Sequence, residues 1–134
     1  MITNTTRNSV IVKNTRVAGS LWERARGLMF TQRFKDTALI FSFPQERVIG
    51  LHMWFVFYPI DVLWLDGEQR VVEVLQGFRP FRIYRPNAPA AYVIELPEGA
   101  IAKSKTIVGD SISFIPGESK SPALPGKQAF RRGQ

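Results

Sequence analysis

The sequence predicts a mainly-β fold, a compact sandwich or partly closed barrel with one short helix near the N-terminus. Three observations carry this expectation. From Thr37 onward the apolar segments are short and several alternate with period two, the pattern of strands. Clusters of Pro, Gly, Asp and Asn punctuate them at close intervals. A helical pattern with its own start and stop signals occurs at Ser20 to Arg26.

The first strand is read at Val10 to Lys13, with Asn14-Thr15 as a turn and Val17-Ala18 pairing back. Ser20 then caps the helix, and Glu23 three residues on completes a capping box. Leu21, Ala25 and Leu28 share a face, and Gly27 supplies a left-handed stop. Thr37 to Phe43 reads as a buried strand, and Pro44 to Arg47 as the turn after it. Val48 to Phe57 follows. Ile49, Leu51, Met53, Phe55 and Phe57 form a core face, and Gly50, His52, Trp54 and Val56 the opposite one.

Pro59 cannot donate to a central ladder, so it breaks this strand. Ile60 to Leu65 resumes it, Asp66 to Gln69 forms a hairpin loop, and Arg70 to Leu75 returns. Gly77 to Ala90 reads as irregular, with Pro80, Pro86 and Pro89 and the basic residues Arg79, Arg82 and Arg85. Ala91 to Leu96 is a strand, Pro97 to Gly99 a turn, and Ala100 to Lys103 a single helical turn. Ser111 to Phe114 closes the domain. Residues 1–114 are therefore expected to form a single mainly-β domain, and 115–134, rich in Pro, Gly, Ser and Lys/Arg, a disordered basic tail.

At 134 residues the chain is long enough to bury a core without metals or disulfides. It has no cysteine, which excludes thiol nucleophiles and Cys-ligated metal sites. Four of the 18 basic residues fall after residue 114, against one acid there, so the body is only mildly basic. That excess fits solubility as well as anion attraction. The N-terminus lacks a charged segment followed by an apolar run, so a cytoplasmic location is expected. The apolar run Val48 to Leu65 is interrupted by Gly50, His52, Pro59 and Asp61, so no membrane partner is expected.

Four segments in order carry a resemblance. They are Gly27-Leu28-Met29-Phe30; His52-Met53-Trp54 leading through Tyr58-Pro59-Ile60-Asp61 to Leu65-Asp66; Tyr92-Val93-Ile94-Glu95-Leu96; and Val108-Gly109-Asp110. Together, over residues 9 to 114, they resemble the domain of unknown function 192 family of bacteria and archaea. The resemblance implies a compact mainly-β domain and brings no activity with it. Many bacterial members carry a Trp-Met-Lys-Asn-Thr type segment where this chain has His52-Met53-Trp54-Phe55-Val56-Phe57. A function resting on those polar groups would not transfer.

The chemistry-bearing candidates are few. His52 is the sole histidine, so a His-rich metal site is excluded; a mixed site with Asp61 and Glu95 would need all three to converge. A histidine packed beside Trp54 is the simpler reading. Asp61 and Glu95 both sit in apolar strands. If they faced each other they could serve as an acid and base pair in hydrolysis. Alternatively, Asp61 accepts backbone amides freed by the break at Pro59, and Glu95 lies on a solvent face. No serine elbow or phosphate-binding glycine loop is present. The Arg79 to Arg85 segment interleaves arginine with aromatics, as single-stranded nucleic-acid surfaces do.

The expectation is thus a binding or interaction module. Its cleft, near His52, Trp54, Asp61 and Glu95, would take a small polar ligand or a protein partner's loop. A hydrolase using Asp61 and Glu95 and a nucleic-acid-associated accessory protein are the alternatives. No catalytic residue, metal or cofactor is assigned, and the sequence leaves oligomeric state open.

Overall fold

The computed structural model describes residues 1–17, 36–52, 58–79 and 82–114. Its strands are β1 (Ile2–Asn4), β2 (Ser9–Val12), β3 (Asn14–Val17), β4 (Thr37–Arg47), β5 (Leu51–His52), β6 (Ile60–Leu65), β7 (Val71–Phe78), β8 (Ile83–Tyr84), β9 (Ala90–Pro97) and β10 (Ile112–Ser113). A short helix, α1 (Ala100–Ser104), lies between β9 and β10. The protein is mainly β and sandwich-like, as the sequence predicts.

A five-stranded sheet, ordered β3-β4-β9-β6-β7, forms the centre. All of its pairs are antiparallel except β3 with β4. Residues of β6 are buried throughout, and alternate ones enter two different cores. On the first face Leu63 and Leu65 join Ile40, Ile94 and Leu96. These pack against Ile2, Ile11, Val12 and Ile112 of a three-stranded sheet ordered β10-β1-β2, and against Ile101 of α1. On the second face Ile60, Val62 and Trp64 join Phe41, Phe78 and Val93. Each large apolar side chain buried in these layers contributes roughly 1.5–3 kcal/mol.

A two-stranded ribbon, β5 with β8, lies against the second face. Tyr84 of β8 places its ring 5.3 Å from Trp64 and 6.3 Å from Phe78. The indole nitrogen of Trp64 donates to the Ile49 carbonyl at 2.9 Å, so this wide side chain is buried with its polar atom satisfied.

Several strand boundaries differ from expectation. β4 continues through Pro44 to Arg47 instead of turning there, because the register with β9 shifts between Ser42 and Arg47 and pairing resumes at Arg47 with Ala90. Asn14-Thr15 is not a turn; it opens β3 and pairs with Thr37 and Ala38. Residues 48–50 are not in a strand, and the remainder of the expected Val48–Phe57 strand is seen only at β5. The expected helix at Ser20 to Arg26, residues 53–57, and the 115–134 segment lie outside the described residues. None of the described helices is long and apolar enough to cross a membrane.

Candidate functional site

Strand alternation assigns the motif carboxylates to different places. In the β6–β9 register Asp61 stands opposite Leu96, and Glu95 opposite Val62. Successive residues of a strand point to opposite faces. Asp61 therefore belongs to the first face, with Leu63 and Leu96, and Glu95 to the second, with Val62 and Val93. The sheet separates them, and the facing acid–base pair required by the hydrolase alternative does not form. A one-residue offset in register decides this, and nothing in the sequence fixes that offset.

Asp61 is 1% exposed and fully engaged. One carboxylate oxygen accepts from the Gly77 amide at 2.9 Å; the other accepts from Gly99 and Ile101, both at 3.0 Å. The reasons are local. Ile60 pairs with Phe78 and Val62 with Leu75, so β7 carries an extra residue opposite Asp61. Gly77 occupies that bulge in a left-handed conformation, φ 64°, where a side chain would be strained. Gly99 precedes α1 at φ 93°, and the helix has no cap from its own segment. Helix N-termini leave amides without partners, and Asp61 satisfies two of them from a neighbouring strand. Asp61 accepts backbone amides as expected, but none is freed by the Pro59 break: they belong to the β7 bulge and to the start of α1.

Asp110, in the Val-Gly-Asp motif, is likewise occupied. One of its oxygens accepts from the Asn4 amide and the Arg7 guanidinium, each at 2.9 Å, and from the Ile107 backbone at 3.0 Å. Burial pushes its carboxyl up, but the bonds from Asn4, Ile107 and Arg7 and the Arg7 charge outweigh it. The net effect holds the group below the usual carboxylate range. Asn4 also donates to Thr106, so this network ties β1 to the segment before β10.

Glu95 differs from both. It is 7% exposed and lies between Leu39 of β4 and Val62 of β6, not on a solvent face. Its Oε2 has no hydrogen-bond partner. Burial alone pushes its carboxyl from the ordinary 4.5 up to about 8. Among the described residues the other buried side-chain oxygen in this condition is Thr15 Oγ1. A hydroxyl left unpaired costs far less than a carboxylate. An unpaired buried carboxyl is the kind of group found at functional sites.

His52 pairs through its backbone with Ile83, in the ribbon that lies against the Glu95 face. Trp54 lies outside the described residues. Of the four candidates, then, Asp61 stands apart from Glu95, while the strand bearing His52 lies on the Glu95 side. No group of three His, Cys, Asp or Glu that could hold a metal occurs among the described residues.

Sequence reasoning did not single out Glu73 and Tyr84. Glu73 lies opposite Trp64 on the edge strand β7. Its carboxylate accepts a short bond from the Tyr84 hydroxyl and one from the Asn87 amide at 2.8 Å. The bond to Glu73, with burial and its charge, raises the Tyr84 pKa. An acid opposite an aromatic in a period-two hairpin was the signal available. Its partner lay in a segment that reads as irregular.

The fold and these contacts define a β-sandwich domain with two carboxylates committed to its architecture and a third left unpaired against an aromatic face. The chain belongs to the DUF192 family, described as "Uncharacterized ACR", which matches residues 2–114. It is 40% identical over 117 residues to a UPF0127 protein of Pyrococcus horikoshii, covering 86% of this chain and 99% of that one. It is 39% identical over 132 residues to a UPF0127 protein of Thermococcus gammatolerans, covering 97% and 85%. A crystal structure of a protein of unknown function from Novosphingobium aromaticivorans superposes with TM-score 0.73 at 22% identity, covering 84% of this chain and 81% of that one. That likeness shows the fold.

Proposed function

We propose that this domain is a binding module whose site is the second face of the central sheet, taking a small polar ligand against Glu95. The unpaired Glu95 oxygen is the observation that supports it. A buried carboxyl without a partner is costly, and an incoming donor would offset that cost. Phe41, Val62, Trp64 and Val93 pack around it on the same face as buried core, so the carboxyl stands in an apolar setting and a ligand would reach it by opening that packing. Asp61, with both oxygens engaged, serves the architecture in this reading. A library of small polar molecules, followed by titration of isotope-labelled protein, tests it. Shifts are expected at Glu95, Val62 and the Trp64 indole, and are expected to vanish in Glu95→Leu. Ligands mapping only to the first face would refute the assignment.

A second reading, nucleic-acid association, is favoured by one observation. Arg79, Arg82 and Arg85 are all exposed on one segment, with Ile83 71% exposed between two of them. It requires binding that weakens steeply with salt. Salt-independent or absent binding to single-stranded oligonucleotides would dismiss it.

A further inference from the structure

We infer that the outer side of the β5–β8 ribbon is a docking surface for an acidic protein segment that carries an aliphatic side chain between its carboxylates. It goes beyond the ligand-binding reading of the Glu95 face, which stands or falls separately.

The surface begins with an isoleucine that the core does not take in. In β8, Tyr84 turns toward the sheet: its ring lies 5.3 Å from Trp64 and 6.3 Å from Phe78, and its hydroxyl donates to Glu73. Strand alternation then turns Ile83 outward. It is 71% exposed, more than any other large apolar side chain among the described residues. The segment is held in this orientation beyond β8 as well, since the Asn87 amide donates to Glu73 and Pro86 is buried. An apolar group displayed on a segment already ordered loses little freedom when a partner covers it.

Charge surrounds that side chain. Arg79, Arg82 and Arg85 are all exposed, and none pairs with an acid among the described residues. From Val74 to Ile94 the sequence contains no Asp or Glu, and Glu73 already accepts from Tyr84 and Asn87. The positive field along this stretch is therefore uncancelled and complements an acidic partner. The kind of cation matters too. No lysine occurs from Val48 to Ile94, although lysines occur on either side. Lysine would serve solubility equally well. Arginine, planar and more weakly hydrated, is the cation enriched in protein interfaces.

Nucleic acid would use the same arginines, but base stacking needs exposed aromatic rings. The described aromatics of this stretch, Phe78 and Tyr84, pack inward against each other, and Tyr84 against Trp64. What stands exposed between Arg82 and Arg85 is aliphatic, and it gains by burial against another apolar side chain.

Two short peptides test this, one alternating Glu with Leu, the other identical with Ser in place of Leu. They are titrated against the isotope-labelled full chain, alongside a single-stranded oligothymidylate. The Glu/Leu peptide is expected to shift the amides of Arg82 to Arg85 and to bind about tenfold or more tighter than the Glu/Ser peptide. Ile83→Ser is expected to remove that preference and leave the two peptides equal. Arg82→Ser combined with Arg85→Ser is expected to weaken the Glu/Leu peptide about tenfold and to flatten its salt dependence. All three side chains are exposed, so both variants should fold as the wild type does. Equal binding of the two peptides to the wild type would overturn the inference and leave a bare charge patch. Tighter binding of the oligothymidylate, unaffected by Ile83→Ser, would overturn it in favour of nucleic acid. Absence of peptide binding would overturn it outright.

Discussion

Glu95→Leu exchanges a buried carboxyl for an apolar side chain, and its effect on stability should depend on pH. In the unfolded chain the group titrates near its ordinary 4.5; in the fold burial raises this to about 8. Between these values the folded state holds a proton that the unfolded state has lost. Stability must then fall as pH rises from 4.5 to about 8, and change no further above that. At about 1.36 kcal/mol for each pH unit in this window, the wild-type protein loses about 3 kcal/mol by pH 7 relative to pH 4.5 from this group alone. That is a large share of the roughly 5–15 kcal/mol typical of a domain. Urea melts of both proteins from about pH 5 to pH 9 isolate the effect, because other titrating groups cancel in the difference. The two are expected to lie within about 1 kcal/mol at the acidic end, where burying a protonated carboxyl is cheap. The Glu95→Leu variant should pull ahead by about 3–5 kcal/mol at the alkaline end. A difference that stays flat across the range would refute the reasoning and show that Glu95 is paired in solution.

Further outcomes follow from the occupied carboxylates. Asp61→Ala strands three amides, one fully buried, and should cost about 3–5 kcal/mol; Asp61→Asn keeps one acceptor and should cost less, both measured by urea melts. For Asp110 the folded pKa is lowered, so its contribution is present above the unfolded value and lost as pH falls through the folded one. Asp110→Asn should therefore destabilise at neutral pH and converge on wild type in strong acid. Tyr84→Phe removes the bond to Glu73 and should cost about 1–2 kcal/mol, with faster amide exchange at Asn87 as its local readout.

The readable parts of the fold were those where local pattern and tertiary demand agree. Ile60 to Leu65 is bracketed by Pro59 and the Asp66-Gly67 turn, and the strand has those bounds. Ala91 to Leu96 and the turn at Gly99 were equally plain. β1 was not read as a strand, because Thr3 and Asn4 look like loop residues; Asn4 is buried only through Thr106 and Asp110, over 100 positions away. β8 is two residues long and takes its place from Tyr84 meeting Trp64 and Glu73, contacts no local pattern announces. At the site, burial of Asp61 followed from its apolar neighbours, whereas Glu95, read on a solvent face, is buried between Leu39 and Val62. Their separation depended on ladder register, which a linear pattern does not encode.

β1 sits between β2 and β10, so Thr3 pairs with Val10 on one side and Ser113 on the other. Nearly the whole described chain lies between the two partners of that second pair. On a ribosome β1 emerges well before β10 and must wait for residue 113 before its ladder is complete. Until then it presents an open edge, and the Asn4 amide lacks Asp110. Closing so long a loop is slow relative to local hairpins. The hairpin of β6 and β7 can form first, and the three-stranded layer can close only once residue 113 is available.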